Sequence, residues 1–443
     1  MKWLRPPGGR LSILLGFGTA AVTLGQGSAT PVLPEYTLGF GVSAIGLAAA
    51  VAVFALGRMI ITIPTGVVAH RFPPRVVLTL GCAVTALGVI GCGLAPTFST
   101  LLAFRALGGI GSGIYLTSAV LTIVAHSPVR RRATRIGFNQ SALVAAVTVG
   151  PALGGILGET TGLRASFVIV GAIAAVGAVV TWTGWDWAAR SEPDHDRSPD
   201  PVEAGEGSEG GEPREGGTRP DDATAADREQ ATATDGKPDQ PGASGLERIM
   251  WPAFITACAV NFAIFATRHG ARQTILPLIA VEQFSLSVGS MGALFTMMSI
   301  VSLVVLPAAS WAGDRFGRIP TIVPGLVATA GGLALAAFAG SLPGLWIGAA
   351  VMSAGMSMAS PTPMAWAADA SPAPRHGVTL AVARTAGDVG SFIGPLALAA
   401  VAIAATLGVS LLTNGLALLV LAGLTVATGL RRRRGRSSQG GSS

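Results

Sequence analysis

Apolar runs of about 20 residues or more alternate along this chain with short polar or glycine–proline breaks. A helix of that length covers ~30 Å of hydrocarbon. Splitting at turn residues and charges predicts twelve helical spans. In the first half they cover residues 11–33, 42–69, 75–95, 98–126, 134–158 and 163–187. In the second they cover 249–280, 287–312, 319–340, 342–369, 375–404 and 406–430. The fold class expected is therefore an all-α polytopic membrane protein.

One stretch breaks the pattern for much longer. Residues 188–248, including "EPDHDRSPDPVEAGEGSEGGEPREGG", are rich in Pro, Gly, Asp and Glu, with sixteen acids against seven bases. Such a segment cannot bury enough apolar area to offset its ordering entropy, so a disordered acidic linker is expected between two six-helix halves. The halves also look like copies. Val32-Leu33-Pro34 returns as Ile275-Leu276-Pro277, and His70-Arg71-Phe72 as Asp314-Arg315-Phe316. Gly150-Pro151 returns as Gly394-Pro395 and Arg131 as Arg375, all at an offset of 243 or 244. A duplicated unit predicts two pseudo-symmetric six-helix bundles over 1–187 and 249–430, with a basic tail at 431–443.

Composition agrees with this reading. Of 443 residues 50% are hydrophobic and only 12% charged, where a soluble domain carries about a quarter. The pI near 10.3 would fit a nucleic-acid partner, but the basic residues sit at span ends and form no single patch, so none is expected. Short loops after spans 2, 4, 8 and 10, with the two termini, hold seventeen Lys and Arg; the opposite side holds Arg164. Both termini and the linker are thus expected on the cytoplasmic face of a plasma (inner) membrane. Cys82, Cys92 and Cys258 lie inside spans without metal or redox spacing and read as small buried hydrophobes. The first apolar run starts like a signal peptide but continues to about Leu33 without a clear small-residue cleavage site, which predicts a retained helix.

Residues 310–320, "SWAGDRFGRIP", place an acid and two arginines between two apolar runs. This loop resembles the Gly–Asp–Arg–Gly–Arg loop signature of the major facilitator superfamily. "GVVAHRFPPR" after span 2 is its degraded copy, with His70 in the place of the usual aspartate. "FRALGGIGSG" in span 4 resembles that family's arginine–glycine motif, and "AVTVGPALGG" in span 5 the motif of its antiporter branch, although Ala146 replaces the first glycine. "GLRASF" at the start of span 6 fits the same template. The resemblance covers all twelve spans and implies alternating access between two halves, closest to the twelve-helix drug:proton antiporters. It also implies that the loops with His70, Arg71, Asp314, Arg315 and Arg318 act as cytoplasmic gates fastening the halves while the cavity faces outward. An alternative for these charges is topological anchoring alone. Gly150-Pro151 removes a backbone hydrogen bond and should bend the fifth helix.

Ionisable side chains inside spans are costly and are functional candidates by default. Asp388 is the only carboxylate deep within a span, ~20 Å along its helix. Arg384 stands four residues before it on the same face, giving a proton-coupling site or a permanent structural pair. Arg105, ~10 Å from the outer end of span 4, either holds an acid or substrate anion or braces its helix through backbone carbonyls. The resemblance implies a central cavity lined by spans 1, 4, 7 and 10. Candidate lining residues are Gln26, Thr30, Tyr115, Asn261, Met356 and Trp366, with Arg268, His269 and Arg272 from "TRHGARQT". The three last could receive an anion, form an outer gate, or snorkel to headgroups. Arg58 and Gln140 are weaker candidates.

The reading is a secondary active transporter, working as a monomer in the lipid bilayer and exporting small amphipathic or hydrophobic molecules in exchange for protons. One rival is a carrier of an anionic metabolite; another is a transporter-like membrane sensor signalling through 188–248. No enzyme is expected: the sequence holds no nucleotide loop, no metal-ligand cluster and no nucleophile with an evident base, so no cofactor or metal is implied.

Overall fold

The computed structural model describes residues 9–127, 129–189, 250–371 and 376–439. The expected linker, 188–248, lies outside the described residues save for its first two. Among the described residues there are helices and turns and no strand. The first half holds α1 (Gly9–Leu38), α2 (Ala44–Val68), α3 (Pro74–Leu94), α4 (Phe98–Ala125), α5 (Val129–Thr161) and α6 (Leu163–Ala189). The second begins with α7 (Trp251–Ala266), a π-helical segment (Thr267–Ile275) and α8 (Leu276–Glu282), which follow one another as a single crossing. Then come α9 (Val288–Arg315), α10 (Arg318–Ala337), α11 (Leu342–Ala359), α12 (Thr362–Asp369), α13 (His376–Ala404) and α14 (Leu407–Gln439).

Eleven of these crossings are long and apolar enough to span a bilayer by length and composition, with α11 and α12 counted together. The α7–π–α8 crossing is the twelfth; its change of hydrogen-bond pattern divides it into shorter pieces. Two expected bounds move. The helix expected to end at residue 33 runs to Leu38 through Pro31 and Pro34, because neighbouring helices shield the backbone groups that proline frees. The last helix continues to Gln439, so the segment expected as a basic tail from 431 begins as helix.

Local chemistry sets the turns. Thr97 and Thr100 form a reciprocal capping box at the start of α4, and Ser287 and Ser341 cap α9 and α11, satisfying amides that no intrahelical carbonyl reaches. Gly317 takes φ +94° between α9 and α10, a left-handed backbone that glycine adopts without strain.

The duplication is visible in the packing. In the first half α1 packs on α5 and α6, α3 on α4 and α6, and α2 on α4. In the second, α7 packs on α13 and α14, α10 on α11 and α14, and α9 on α11. The halves meet along α5 with α9 and α2 with α13. The repeated Gly-Pro motif marks equivalent crossings: a Cβ on Gly150 would lie 2.8 Å from Gly27 Cα, and one on Gly270 would lie 2.8 Å from the Gly394 carbonyl carbon. The motif lets two backbones touch in each half. α5 continues as one helix through Pro151, the position at which the sequence predicts a bend.

Candidate functional site

A cavity of ≈320 Å³ lies between the halves, within the size range of small-molecule sites. Its wall draws on α1 (Gln26, Thr30), α5 (Leu143, Val147) and α9 (Ser299, Leu306), among others. The α9 positions Phe295, Ser299, Ser302, Leu303 and Leu306 follow helical spacing, so one face of that helix is presented. At one end of this interface α5 and α9 come into close contact. A Cβ on Gly155 of α5 would stand 2.8 Å from Gly292 Cα of α9, and Gly158 packs on Val288. That contact joins the C-terminal end of α5 to the N-terminal end of α9. The cavity residues of α5 and α9 lie on the other side of it, toward the face that carries the loop at 314–318.

The second half contributes its polar groups through the π-helical segment. A π turn holds one extra residue and leaves carbonyls poorly served. Side chains fill the gap: Thr274 Oγ1 donates to His269 O at 2.8 Å, and His269 Nδ1 pairs with Phe265 O at 3.1 Å. The result presents Arg268, His269, Arg272 and Gln273 to one cavity. Arg268 donates through Nη2 to Ser360 Oγ at 3.4 Å and Arg272 through Nη2 to Ser299 Oγ at 3.2 Å. Arg268 also lies over the Phe265 ring, 5.3 Å from its centroid. Snorkelling to the outer surface is thereby corrected: His269 is buried and both arginines are largely so.

Asp388 has a different partner from the one its helix suggests. Its Oδ1 stands 3.6 Å from Arg58 Nη2, joining α13 to α2 across the halves, with each side chain about a fifth exposed at 19% and 20%. Arg384 is exposed and makes no ion pair among the described residues, because it falls on a more open part of α13. Arg58, a weak candidate by sequence, lines the cavity and pairs with Asp388 of α13.

Other candidates are placed elsewhere. Arg105 is buried, donates through Nε to Ala50 O at 3.1 Å and lies 4.9 Å from the Phe54 ring centroid. It ties α4 to α2 and reaches neither Asp388 nor the cavity. Tyr115 is wholly buried, its hydroxyl donating to Leu15 O at 3.0 Å. Asn261 donates to Ala383 O at 2.7 Å, joining α7 to α13. Met356 and Trp366 are packed in the core of the second half. These four side chains stabilise helix contacts and do not line the cavity, although Gln26 and Thr30 do.

At the loop after α9, Arg318 bridges two acids, donating from Nη1 to Asp314 Oδ1 and from Nε to Asp369 Oδ2, each at 3.0 Å. Arg315 lies over Trp311 at 5.5 Å. All five groups belong to the second half, so in this conformation these contacts do not fasten the halves. Arg71 is exposed in a single 3₁₀ turn after α2; the His70 side chain lies outside what is described.

Sequence reasoning missed Phe265, Gln273, Ser299, Ser302 and Ser360. The stripe on α9 was legible as helical periodicity; the convergence of α9, α11 and the π segment was not. Among the described residues no group of three or more His, Cys, Asp or Glu could hold a metal.

The model of the Major Facilitator Superfamily matches residues 15–271 and 262–442. The quinolone resistance protein NorA of Staphylococcus aureus is 26% identical over 168 residues, 38% of this chain and 43% of NorA. The multidrug resistance protein Stp of Mycobacterium tuberculosis is 29% identical over 158 residues, 35% of this chain and 29% of Stp. The matched stretch thus spans less than half the length of either relative. The crystal structure of the peptide transporter POT in complex with sulfate superposes with a TM-score of 0.71 at 16% identity, covering 96% of this chain and 95% of that one; this likeness speaks for the fold.

Proposed function

This chain belongs to the major facilitator superfamily, a transporter family, and from that premise we propose that it exports small amphipathic molecules in exchange for protons by alternating access. The observation that carries the proposal is the Arg58–Asp388 pair, which joins the two halves beside the central cavity. The resistance proteins with which it shares sequence support the export of drug-like cargo.

Alternating access needs one closed and one open end. The glycine contacts of α5 and α9 close one. The face with the termini and the basic loops is the cytoplasmic one on charge grounds, so this conformation receives cargo from inside. A proton bound to Asp388 removes the attraction between α13 and α2 and lets the halves rearrange. Return of the proton to water restores the pair. Arginine itself keeps its proton; Arg58 acts by holding and releasing the carboxylate. The cavity lies within one chain, which supports a monomeric working unit in the plasma membrane.

Purified protein in liposomes with an imposed pH gradient tests this. The parent should accumulate a fluorescent amphipathic dye against its gradient. Asp388→Asn should lose accumulation by tenfold or more while still exchanging dye across a symmetric membrane. An unchanged response to the gradient removes Asp388 as the coupling group, and no gradient-driven movement of any dye removes the export reading.

A further inference from the structure

Charge in the cavity does not balance. Arg58, Arg268 and Arg272 face it. Among the described residues Asp388 is the one carboxylate within 4.0 Å of any of them, and it is taken by Arg58. The other acids with described side chains, Glu35, Glu159, Asp186, Glu282, Asp314 and Asp369, lie at helix ends. Among the described residues the side-chain hydrogen-bond partners of Arg268 and Arg272 are the neutral hydroxyls of Ser360 and Ser299; Arg268 also faces the uncharged Phe265 ring, and its Nε is buried without a hydrogen-bond partner. A cation withdrawn from water without a counter-charge is strongly disfavoured unless something completes it. The guanidinium fork matches a carboxylate or another oxyanion through paired N–H bonds.

We propose that Arg268 and Arg272 form a subsite for the oxyanion group of the cargo, making the transported class amphipathic anions: carboxylates, sulfonates or phosphonates on an apolar body. The body lies against Leu143, Val147, Leu303 and Leu306, which share the same cavity. The π-helical segment turns both arginines toward one space, where Ser299 of α9 and Ser360 at the end of α11 meet them. This inference rests on the transport reading only for the statement that cargo enters this cavity.

Full-length protein in lipid nanodiscs, with binding to empty nanodiscs subtracted, tests it with three probes of one aromatic body. These are 1-naphthalenesulfonate, (1-naphthylmethyl)trimethylammonium and neutral 1-naphthalenemethanol. The sulfonate should bind at least tenfold more tightly than the ammonium. Arg268→Gln and Arg272→Gln should each weaken the sulfonate tenfold or more and leave the neutral probe within about twofold, and the corresponding Lys variants should recover part of the loss. Equal affinity for ammonium and sulfonate overturns the proposal, as does unchanged sulfonate affinity in both Gln variants. Parallel loss of the neutral probe also overturns it, since that marks a helix disturbed and not an anion site removed. Displacement of the sulfonate by equimolar inorganic sulfate counts against an amphipathic cargo. Transport assays separate the two readings: anion binding without transport of any probe leaves the subsite and removes export, whereas gradient-driven export of the ammonium without sulfonate binding does the reverse.

Discussion

Arg105 and Arg58 are both cations set in apolar helices, yet their neighbours give them different work. Arg105 donates to Ala50 O and covers Phe54, a tie within one half. Arg105→Met keeps most of the apolar stem and loses the hydrogen bond and the ring contact, so we expect destabilisation of ~1–3 kcal/mol. Thermal unfolding of the purified protein should show a fall of a few degrees, with the pH dependence of export unchanged; a displaced pH profile would put Arg105 in the proton path. Arg58→Gln should behave otherwise. It leaves Asp388 without its cation, and gradient-driven dye export should fall tenfold or more while exchange across a symmetric membrane continues. The sequence pointed from Asp388 to Arg384 because neighbours four apart on one helix are the only contacts a linear pattern displays. The true partner comes from another helix, 330 residues away.

Two elements decide what the cavity can do. The π-helical segment was invisible as such: "TRHGARQT" reads as ordinary helix, and the extra residue per turn is fixed by what packs around it. Thr274 and His269, which serve the loosened carbonyls, are clues only after the fact. The α5–α9 crossing depends on small residues, with Gly155 against Gly292. Gly292→Leu adds a side chain where backbones touch, and close-packed helices respond to overpacking by separating or straining. The ends of α5 and α9 should therefore move apart. Spin labels at the exposed positions Thr160 and Ser290 should report a longer distance and a larger open population than in the parent. An unchanged distance distribution would mean that these glycines do not hold the contact.

At the level of the molecule, the ion pairs of the charged loop after α9 stay, among the described residues, within its own half, through Asp314, Arg318 and Asp369. That accords with a closed α5–α9 end and a cavity on the loop side. Residues 193–248 carry the acidic, Pro- and Gly-rich composition of the expected linker. Replacing 195–246 by an equally long Gly/Ser chain should leave dye export within about twofold and the melting temperature unchanged. Abolished function with an intact melting transition would instead favour the sensor reading, in which that segment carries the output.

The sequence alone determined the helical crossings, the duplication and the motifs of the family. These depend on hydrophobic length and on repeats, both one-dimensional quantities that the bilayer reads directly. It also supplied Gln26, Thr30, Arg268, His269 and Arg272 as cavity residues. Tertiary structure alone decided that Tyr115, Asn261, Met356 and Trp366 pack away from the cavity, that Asp388 meets Arg58, and that Arg268 and Arg272 face one cavity from the same helical segment. Which side chains share a space is set by how helices from both halves cross, and no spacing along one chain encodes that angle.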